Sequence, residues 1–233
     1  MRENIPYIAE VNNPYFAEGG SDLEDLDNLK SRATNVFKNL NRAVTAEDYE
    51  WLAMEASFSV ARAKCLSNVG KGGEVVVKII PRPDADEFDL KRELYPTSEL
   101  IRRVKEYLEA RKLVGTKLKV EAPTYNSISV NLRAVFKKEV AEVQILKDQV
   151  EMALRRYLHP ITGGPDGKGW PFGVPVAKND VFRVLEKIDD ISYIEEIDIV
   201  SDDSGIAVDK MTLDEGSLIR INKVKITERK AQF

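Results

Sequence analysis

The spacing of apolar positions predicts an amphipathic helix within residues 1–40, after a polar and turn-rich connector. Ser21 and Glu24 have the spacing of a capping box, which marks the start of a helix. We expect the apolar stripe of this helix to pack on its own domain; the alternative is that it binds a partner, if the chain is cut from a longer one. The stripe consists of Leu23, Leu26, Leu29, Ala33, Val36 and Leu40.

Residues 41–122 alternate between helical and strand periodicity and form a first predicted α/β module. Thr45 and Asp48 have capping-box spacing, and Tyr49 begins the apolar face of the helix that follows. Residues 84–95 are a charged insertion that we expect to be mobile. The order of elements is typical of a small α+β sandwich of the split βαβ type. The predicted elements are a helix from Thr45, strands over 60–66 and 74–80, a helix capped by residues 96–98 and a strand over 116–121.

Residues 123–200 repeat this pattern loosely and form a second predicted α/β module. An alternating strand over 128–134 precedes a long helical stripe over 143–158. A glycine-rich segment, a shorter helix and a closing strand come next. The sequence therefore predicts an α+β fold of two small α/β sandwich modules side by side, preceded by a helix and followed by a β tail.

Residues 201–233 are the predicted C-terminal β tail, with one clear strand over 218–227. The apolar positions of this strand change phase between Ile221 and Val224. An extra residue in one strand produces such a change, so the pattern predicts a β-bulge at this point.

Five glycines and three prolines follow the second long helix, within residues 160–173. Glycine-rich loops with a lysine often bind phosphate, but two phosphate-binding motifs fail here. A Walker loop is excluded because Thr162 and Gly169 replace the glycine and the hydroxyl residue that it requires. A dinucleotide fingerprint is excluded because Phe172 stands in place of its third glycine, and because the segment follows a helix instead of a strand.

We therefore interpret residues 160–173 as a shaped structural loop. Gly163 and Gly164 are expected to supply positive φ angles, and Trp170 and Phe172 are expected to anchor the loop in the core or on a partner.

The charge balance argues against broad nucleic-acid binding, because 35 basic and 39 acidic residues give a formal net charge of -4. The densest basic stretch, Arg102–Lys112, alternates with glutamates at helical pairing distances. A solvated helix face is expected there, and contact with nucleic acid is the alternative. No stretch approaches the roughly 18 apolar residues of a membrane span, and no signal segment is evident, so we expect a soluble protein made in the cytoplasm.

The sequence carries no residue pattern typical of an enzyme, since it has no nucleophile elbow and no calcium loop. Cys65, the single cysteine, permits no internal disulfide and no cysteine-based zinc site, and we expect it to pack in a strand. His159, the single histidine, lies at a predicted helix end, where a satisfied hydrogen bond explains it. We expect no catalysis, no metal and no organic cofactor. The alternative is a carbohydrate-handling domain with Trp170 or Tyr125 as a sugar platform.

Two segments resemble blocks of one known family. Residues 41–50, Asn-Arg-Ala-Val-Thr-Ala-Glu-Asp-Tyr-Glu, and residues 60–63, Val-Ala-Arg-Ala, are similar to a recurring block of the baseplate J-like proteins. The run over 158–173 is similar to a later block of the same family, in the same order. These proteins are wedge components of contractile phage tails and of related phage-derived injection particles. The resemblance covers about residues 11–200.

The resemblance implies a structural protein that joins copies of itself and other wedge subunits into a ring around a tail tube. Family members usually carry a long N-terminal region that precedes this one, so we expect a C-terminal fragment or a short member that is a monomer or weak dimer in isolation. Assembly in the cytoplasm into a virion or a phage-tail-like particle is implied, with neither nucleic acid nor membrane as a partner. The candidate structural or interface residues are Gly163, Gly164, Trp170, Phe172, Arg42, Asp48 and Tyr49.

Overall fold

Helices and strands are interleaved along the chain, and the computed structural model describes residues 26–67, 73–83, 90–91, 93–137 and 142–228. The helices are α1 (Leu26–Asn39), α2 (Ala46–Glu55), α3 (Ser98–Glu109), α4 (Val143–Tyr157) and α5 (Lys178–Leu185). The longer strands are β1 (Val60–Ser67), β2 (Glu74–Pro81), β3 (Lys117–Glu121), β4 (Thr124–Phe136), β6 (Ile191–Ser201) and β9 (Ser217–Glu228). The two-residue strands are β5 (Val176–Ala177), β7 (Ala207–Val208) and β8 (Lys210–Met211). The predicted α+β class is confirmed, whereas the predicted capping box at Ser21 lies outside the described residues.

The first sheet has the strand order β1-β2-β3. β1 and β2 are antiparallel, and β3 runs parallel to β2 after the α3 crossover. The two parallel strands are direct neighbours, so this unit is a βαβ crossover with adjacent strands and not the split form that the element order predicted. A split form would need a third strand between the parallel pair, and β1 pairs on the far side of β2 instead.

The first sheet is covered by α2 and α3, whose starts are set by local capping. Thr45 and Asp48 form the predicted capping box of α2, and the Thr97 hydroxyl caps α3 by accepting a hydrogen bond from the Leu100 amide at 3.2 Å. The side chains buried between helices and sheet form one cluster. This cluster includes Ala43, Tyr49, Leu52, Val77, Ile79, Val104 and Leu108.

The second sheet has the strand order β7-β6-β4-β9, with β6 antiparallel and β9 parallel to β4. The helices α4 and α5 pack on it around a second cluster of buried side chains. The predicted C-terminal strand is present, but it is an integral strand of this sheet and not a separate tail, because β4 pairs with it along its length. Its residues lie far from β4 in sequence, so no local pattern could predict this pairing.

The bulge predicted in β9 is confirmed at Asn222. Ile128 of β4 pairs with Ile221 and Ser129 pairs with Lys223, so Asn222 has no partner in the ladder. The buried Arg155 of α4 donates hydrogen bonds to the carbonyl oxygens of Ile221 and Asn222. The guanidinium therefore satisfies the acceptors that the bulge displaces.

Helix α1 leaves most of its apolar side chains in solvent. Leu26, Leu29, Val36 and Phe37 are exposed by 67%, 41%, 38% and 81%. The expectation that this stripe packs on its own domain is therefore wrong for these described residues. An amphipathic helix gains most of its stability from packing its apolar face, so α1 presents a face that a partner can cover.

Cys65 is buried in β1, as the sequence predicted. Burial raises the pKa of its thiol to about 11, with a smaller contribution from the neighbouring Glu50 carboxylate. The thiolate is the reactive form, so the thiol should react with DTNB about a hundredfold more slowly in the folded protein than in urea at mildly alkaline pH. Equal rates with and without urea would contradict this placement of Cys65.

Candidate structural site at the glycine loop

The loop after α4 folds back onto the end of that helix through its own backbone. The carbonyl oxygen of Tyr157 accepts a hydrogen bond from the Gly164 amide at 2.7 Å. The carbonyl oxygen of His159 accepts from the amides of Gly163 and Trp170, both at 3.0 Å. The Tyr157 carbonyl is the last of α4 and lacks a partner within the helix, so the loop satisfies it, and it also satisfies the His159 carbonyl just beyond the helix. The loop over residues 158–173 is therefore a folded unit; we call it the glycine loop.

The glycines of the loop meet two different requirements. Gly164 has the expected positive φ, at 79°, and Gly169 has a φ of 95°. Gly163 does not have a positive φ, so that expectation is wrong for this residue. A Cβ at Gly163 would instead overlap the carbonyl oxygen of Tyr157, so the position requires glycine because two backbone segments approach each other closely.

Trp170 is a core residue of the second sheet. Its side chain is 3% exposed, its indole N–H donates to the Val174 carbonyl at 3.0 Å, and its ring meets the Tyr157 ring edge-on at 5.6 Å. The buried N–H is therefore satisfied, as a tryptophan in a core requires. A sugar platform needs an open ring face, so Trp170 cannot provide the platform that the sequence left as an alternative.

His159 is 3% exposed and holds the start of the loop as a hydrogen-bond acceptor. Its Nδ1 atom accepts from the backbone amides of Ile161 and Thr162, at 3.3 and 3.2 Å. Burial lowers the pKa of His159. Both effects favour the neutral imidazole, because a protonated Nδ1 could no longer accept these bonds.

The lowered pKa of His159 predicts a loss of stability in mild acid. Below the ordinary histidine pKa of about 6.5 the unfolded chain binds a proton before the folded chain does, so the free energy of unfolding falls with falling pH. The free energy of unfolding stops falling on this account once the pH is below the pKa of His159 in the folded protein. In His159→Asn, whose amide oxygen can take the place of Nδ1, this part of the pH dependence should disappear.

Urea unfolding of both proteins on either side of the ordinary histidine pKa measures this difference, and the carboxylates that the two proteins share provide the common background. The chain has one histidine, so its imidazole resonance can be followed by NMR without assignment. A folded pKa at or above the ordinary value would contradict the prediction.

Arg62 of β1 connects the first sheet to the glycine loop. One terminal nitrogen of its guanidinium donates to the carbonyl oxygens of Pro160 and of Trp170, the latter at 2.9 Å. The guanidinium carbon also lies 5.5 Å from the centroid of the Phe172 ring. Gly169 leaves room for this arrangement, because a Cβ there would overlap both the Arg62 side chain and the Pro160 carbonyl.

The charged guanidinium of Arg62 is partly buried, away from water. Burial lowers the pKa of its guanidinium, and the Glu50 carboxylate opposes that shift. Arginine remains protonated in proteins, so the two loop carbonyls receive charged hydrogen bonds. Arg62 was not among the candidate site residues predicted from the sequence. The one indication of its role was its place in the Val-Ala-Arg-Ala segment at 60–63.

A small apolar cluster continues the contact between the two sheets. Phe172 of the loop packs with Ile80 of β2, with Leu218 of β9, and with Leu94, which lies between β2 and α3. The Leu94 backbone bonds to the Tyr125 hydroxyl in both directions, at 3.3 and 3.2 Å. Leu94 is thus firmly packed at the end of the segment that we expected to be mobile, while residues 84–89 and 92 of that segment lie outside the described part of the chain.

Polar contacts extend this junction beyond the loop. The Lys78 ammonium of β2 donates to the Thr124 hydroxyl of β4 at 3.0 Å, and Glu93 pairs with Arg220 of β9. We call this set of contacts between the first sheet and the second module the seam. It consists of the contacts of Arg62 and Phe172, the Lys78–Thr124 hydrogen bond and the Glu93–Arg220 ion pair.

The other three candidate residues lie in the first module and have separate roles. Asp48 accepts hydrogen bonds from the amides of Thr45 and Val44, at 2.7 and 3.1 Å, so it holds the start of α2. Tyr49 is 4% exposed in the first core, where burial raises the pKa of its hydroxyl. Arg42 is exposed. The structure therefore brings Gly163, Gly164, Trp170 and Phe172 together and places Arg42, Asp48 and Tyr49 elsewhere.

The helix suggested for nucleic-acid contact has largely paired charges. Arg102 pairs with Glu99 at 2.7 Å and with Glu106 at 2.8 Å, and Glu109 pairs with Lys112 at 2.6 Å. Within the described ranges, no group of three or more histidine, cysteine, aspartate or glutamate side chains could hold a metal ion. In the same part of the chain, no helix has the length and apolar character that crossing a membrane requires.

The fold is similar to that of a chain in the cryo-EM structure of the anti-feeding prophage (AFP) baseplate, 6-fold symmetrised, with a TM-score of 0.62 and 13% sequence identity. The match covers 85% of this chain and 42% of that chain, so this chain spans less than half the length of its structural neighbour. No family model and no curated protein matches the sequence. At this identity the likeness establishes a shared fold.

Proposed function

We propose that this protein is a structural component of the baseplate of a contractile tail or injection particle. The observation that carries the proposal is the fold, because the likeness to a chain of the AFP baseplate extends over 85% of the residues. Fold alone does not determine function, so the proposal also needs support from particular residues.

That support comes from the contact between the two sequence blocks that resemble baseplate J-like proteins. Arg62 belongs to the first block, and its hydrogen-bond acceptors, Pro160 and Trp170, belong to the second. The two blocks thus meet in one structural site, which is part of the seam, although the bonded residues lie 98 and 108 positions apart in the chain. This contact supports assignment to the baseplate J-like family and to the role of a wedge subunit.

The proposed role is non-catalytic and requires neither metal nor organic cofactor. His159 is the one histidine of the chain, and its Nδ1 atom is engaged by loop amides. Cys65 is buried and has a raised thiol pKa. Both groups are more readily explained by packing than by chemistry.

The proposed partners are other wedge subunits and further copies of this chain, assembled in the cytoplasm into the particle. The exposed apolar face of α1 favours contacts outside the chain, because contiguous apolar surface is typical of interaction sites. Without those partners we expect a monomer or a weak dimer.

The test is to locate the chain in particles. The chain carrying an affinity tag would be produced together with its neighbouring genes, and purified particles would be imaged by electron microscopy with a label on the tag. We expect the label at the baseplate end of the tube. Label along the sheath, or particles that lack the chain, would refute the proposal.

A further inference from the structure

Two neighbouring loops of the first module expose apolar side chains that no core requires. Leu40 and Val44, at and after the end of α1, are exposed by 75% and 55%. Leu113 and Val114, between α3 and β3, are exposed by 46% and 105%. Phe37, in the last turn of α1, is exposed by 81%. We call these five side chains, together with Arg42, the apolar-basic surface.

The two loops are held at a fixed spacing. The Ala43 amide donates to the Arg111 carbonyl at 3.0 Å, and Ala43 and Lys112 form a parallel β-bridge. The Arg111 guanidinium donates to the Asn41 side chain at 2.7 Å and lies 3.5 Å from the centroid of the Tyr107 ring. The buried Ala43 thus fixes a backbone from which Arg42 and Val44 project into solvent.

The backbone of the first loop is also in an unfavourable conformation. Leu40 and Asn41 have φ angles of 48° and 61°, in the left-handed region. Asparagine tolerates this region, but leucine does so rarely. Because the Leu40 side chain is mostly exposed, packing of that side chain does not explain the conformation. Such strained positions concentrate at functional sites.

The two loops that carry these apolar side chains hold charges of one sign. Residues 37–44 and 111–114 contain four basic residues and no acidic ones: Lys38, Arg42, Arg111 and Lys112. Among the nearby carboxylates, Asp48 accepts from the start of α2, Glu109 pairs with Lys112, and Glu47 is exposed. A complementary surface would therefore be apolar and acidic.

We propose that the apolar-basic surface binds another protein of the particle, through apolar side chains flanked by carboxylates. A two-fold contact between copies of this chain would place the same cations against each other, which disfavours that arrangement. The fixed spacing of the two loops favours a shaped protein surface over an anionic membrane, which makes no demand on spacing. This inference rests on the proposed function, because it requires a particle with other subunits.

The test introduces the photo-crosslinking amino acid p-benzoylphenylalanine at Val114 of the tagged chain in particle-producing cells. We expect crosslinks to a different particle protein, within a peptide that contains aspartate or glutamate. The same amino acid at Met152, which is 53% exposed on α4, serves as the control position and should not give that crosslink. Adding Arg42→Glu should reduce the Val114 crosslink about tenfold, as expected when an attractive charge becomes repulsive. Lys168→Glu, a reversal of another exposed charge, should leave it unchanged.

Three results would overturn the inference while leaving the proposed function intact: crosslinks from Val114 to a second copy of this chain, no crosslink in particles that contain the chain, or a crosslink that Arg42→Glu does not weaken. Binding of the purified chain to phosphatidylglycerol vesicles, lost in Val114→Asp, would assign the surface to membranes and also overturn it. Absence of the chain from particles would overturn both proposals. Circular dichroism of each variant verifies its fold, which these exposed positions should leave unchanged.

Discussion

Trp170→Ala is expected to lower the free energy of unfolding by roughly 3–5 kcal/mol, the usual cost of removing a large aromatic side chain from a core. The side chain is 3% exposed and packs in the second core, where it also contacts the Tyr157 ring. The variant should therefore leave a cavity beneath the glycine loop and free the Val174 carbonyl of its partner. Urea denaturation followed by circular dichroism measures the change without relying on tryptophan fluorescence.

Lys168→Ala is the matched control, because Lys168 lies in the same loop and is exposed. Its effect should stay within about 0.5 kcal/mol. If Trp170→Ala unfolded at the same urea concentration as the wild type but prevented particle assembly, Trp170 would belong to an interface and its assignment to the core would be wrong.

Gly169→Ala is expected to destabilise the protein by roughly 2–6 kcal/mol, the sum of backbone strain and steric overlap. Its φ of 95° is unfavourable for alanine, and the new methyl group would overlap the Pro160 carbonyl and the Arg62 guanidinium. Gly167 is the matched control in the same loop, because its φ of 69° is also positive but a methyl group there would have no neighbouring atom within 4 Å. Gly167→Ala should cost about 1–2 kcal/mol, from the backbone alone.

Thermal and urea unfolding of the two alanine variants measure the loss of stability in each. The difference between the two losses is the cost of steric overlap, because backbone strain is common to both. The double variant Gly169→Ala with Arg62→Ala should lose less stability than the sum of the single variants, because the shortened side chain at position 62 removes part of the overlap. Equal losses at Gly169 and Gly167, or strict additivity with Arg62→Ala, would show that Arg62 does not occupy the space that Gly169 leaves.

The seam has a consequence for how the two sheets can move. Charged hydrogen bonds from Arg62, the Phe172 cluster and the Lys78 contact all join the first sheet to the second module. A displacement of one sheet relative to the other must break these contacts together. If this protein acts in a baseplate as proposed, and that baseplate rearranges, we expect this region of the protein to move as one body and the rearrangement to occur at its external contacts.

Local features of the fold could be predicted from the sequence because they depend on residues close in the chain. The capping box of Thr45 and Asp48 formed as predicted, since a side chain and an amide three residues apart determine it. The bulge at Asn222 was likewise visible as a change of phase in one strand. The failure of Gly163 to adopt a positive φ is also local in origin, but it depends on how the loop closes on Tyr157, which composition does not show.

Long-range pairing and contacts depend on the tertiary structure. The apolar pattern of β9 predicts a strand but does not choose β4 as its neighbour, and the spacing of α1 predicts an apolar face but not that it remains exposed. Arg62 could be seen in the sequence as one residue of a motif, while its acceptors lie 98 and 108 residues away. Periodicity and capping depend on interactions between residues a few positions apart in the chain. The choice of strand neighbours and the contacts of the seam depend instead on the relative free energies of alternative folds of the whole chain. The fold class and most elements of this protein therefore follow from local patterns in its chain, and only the packed molecule shows which of its motifs meet.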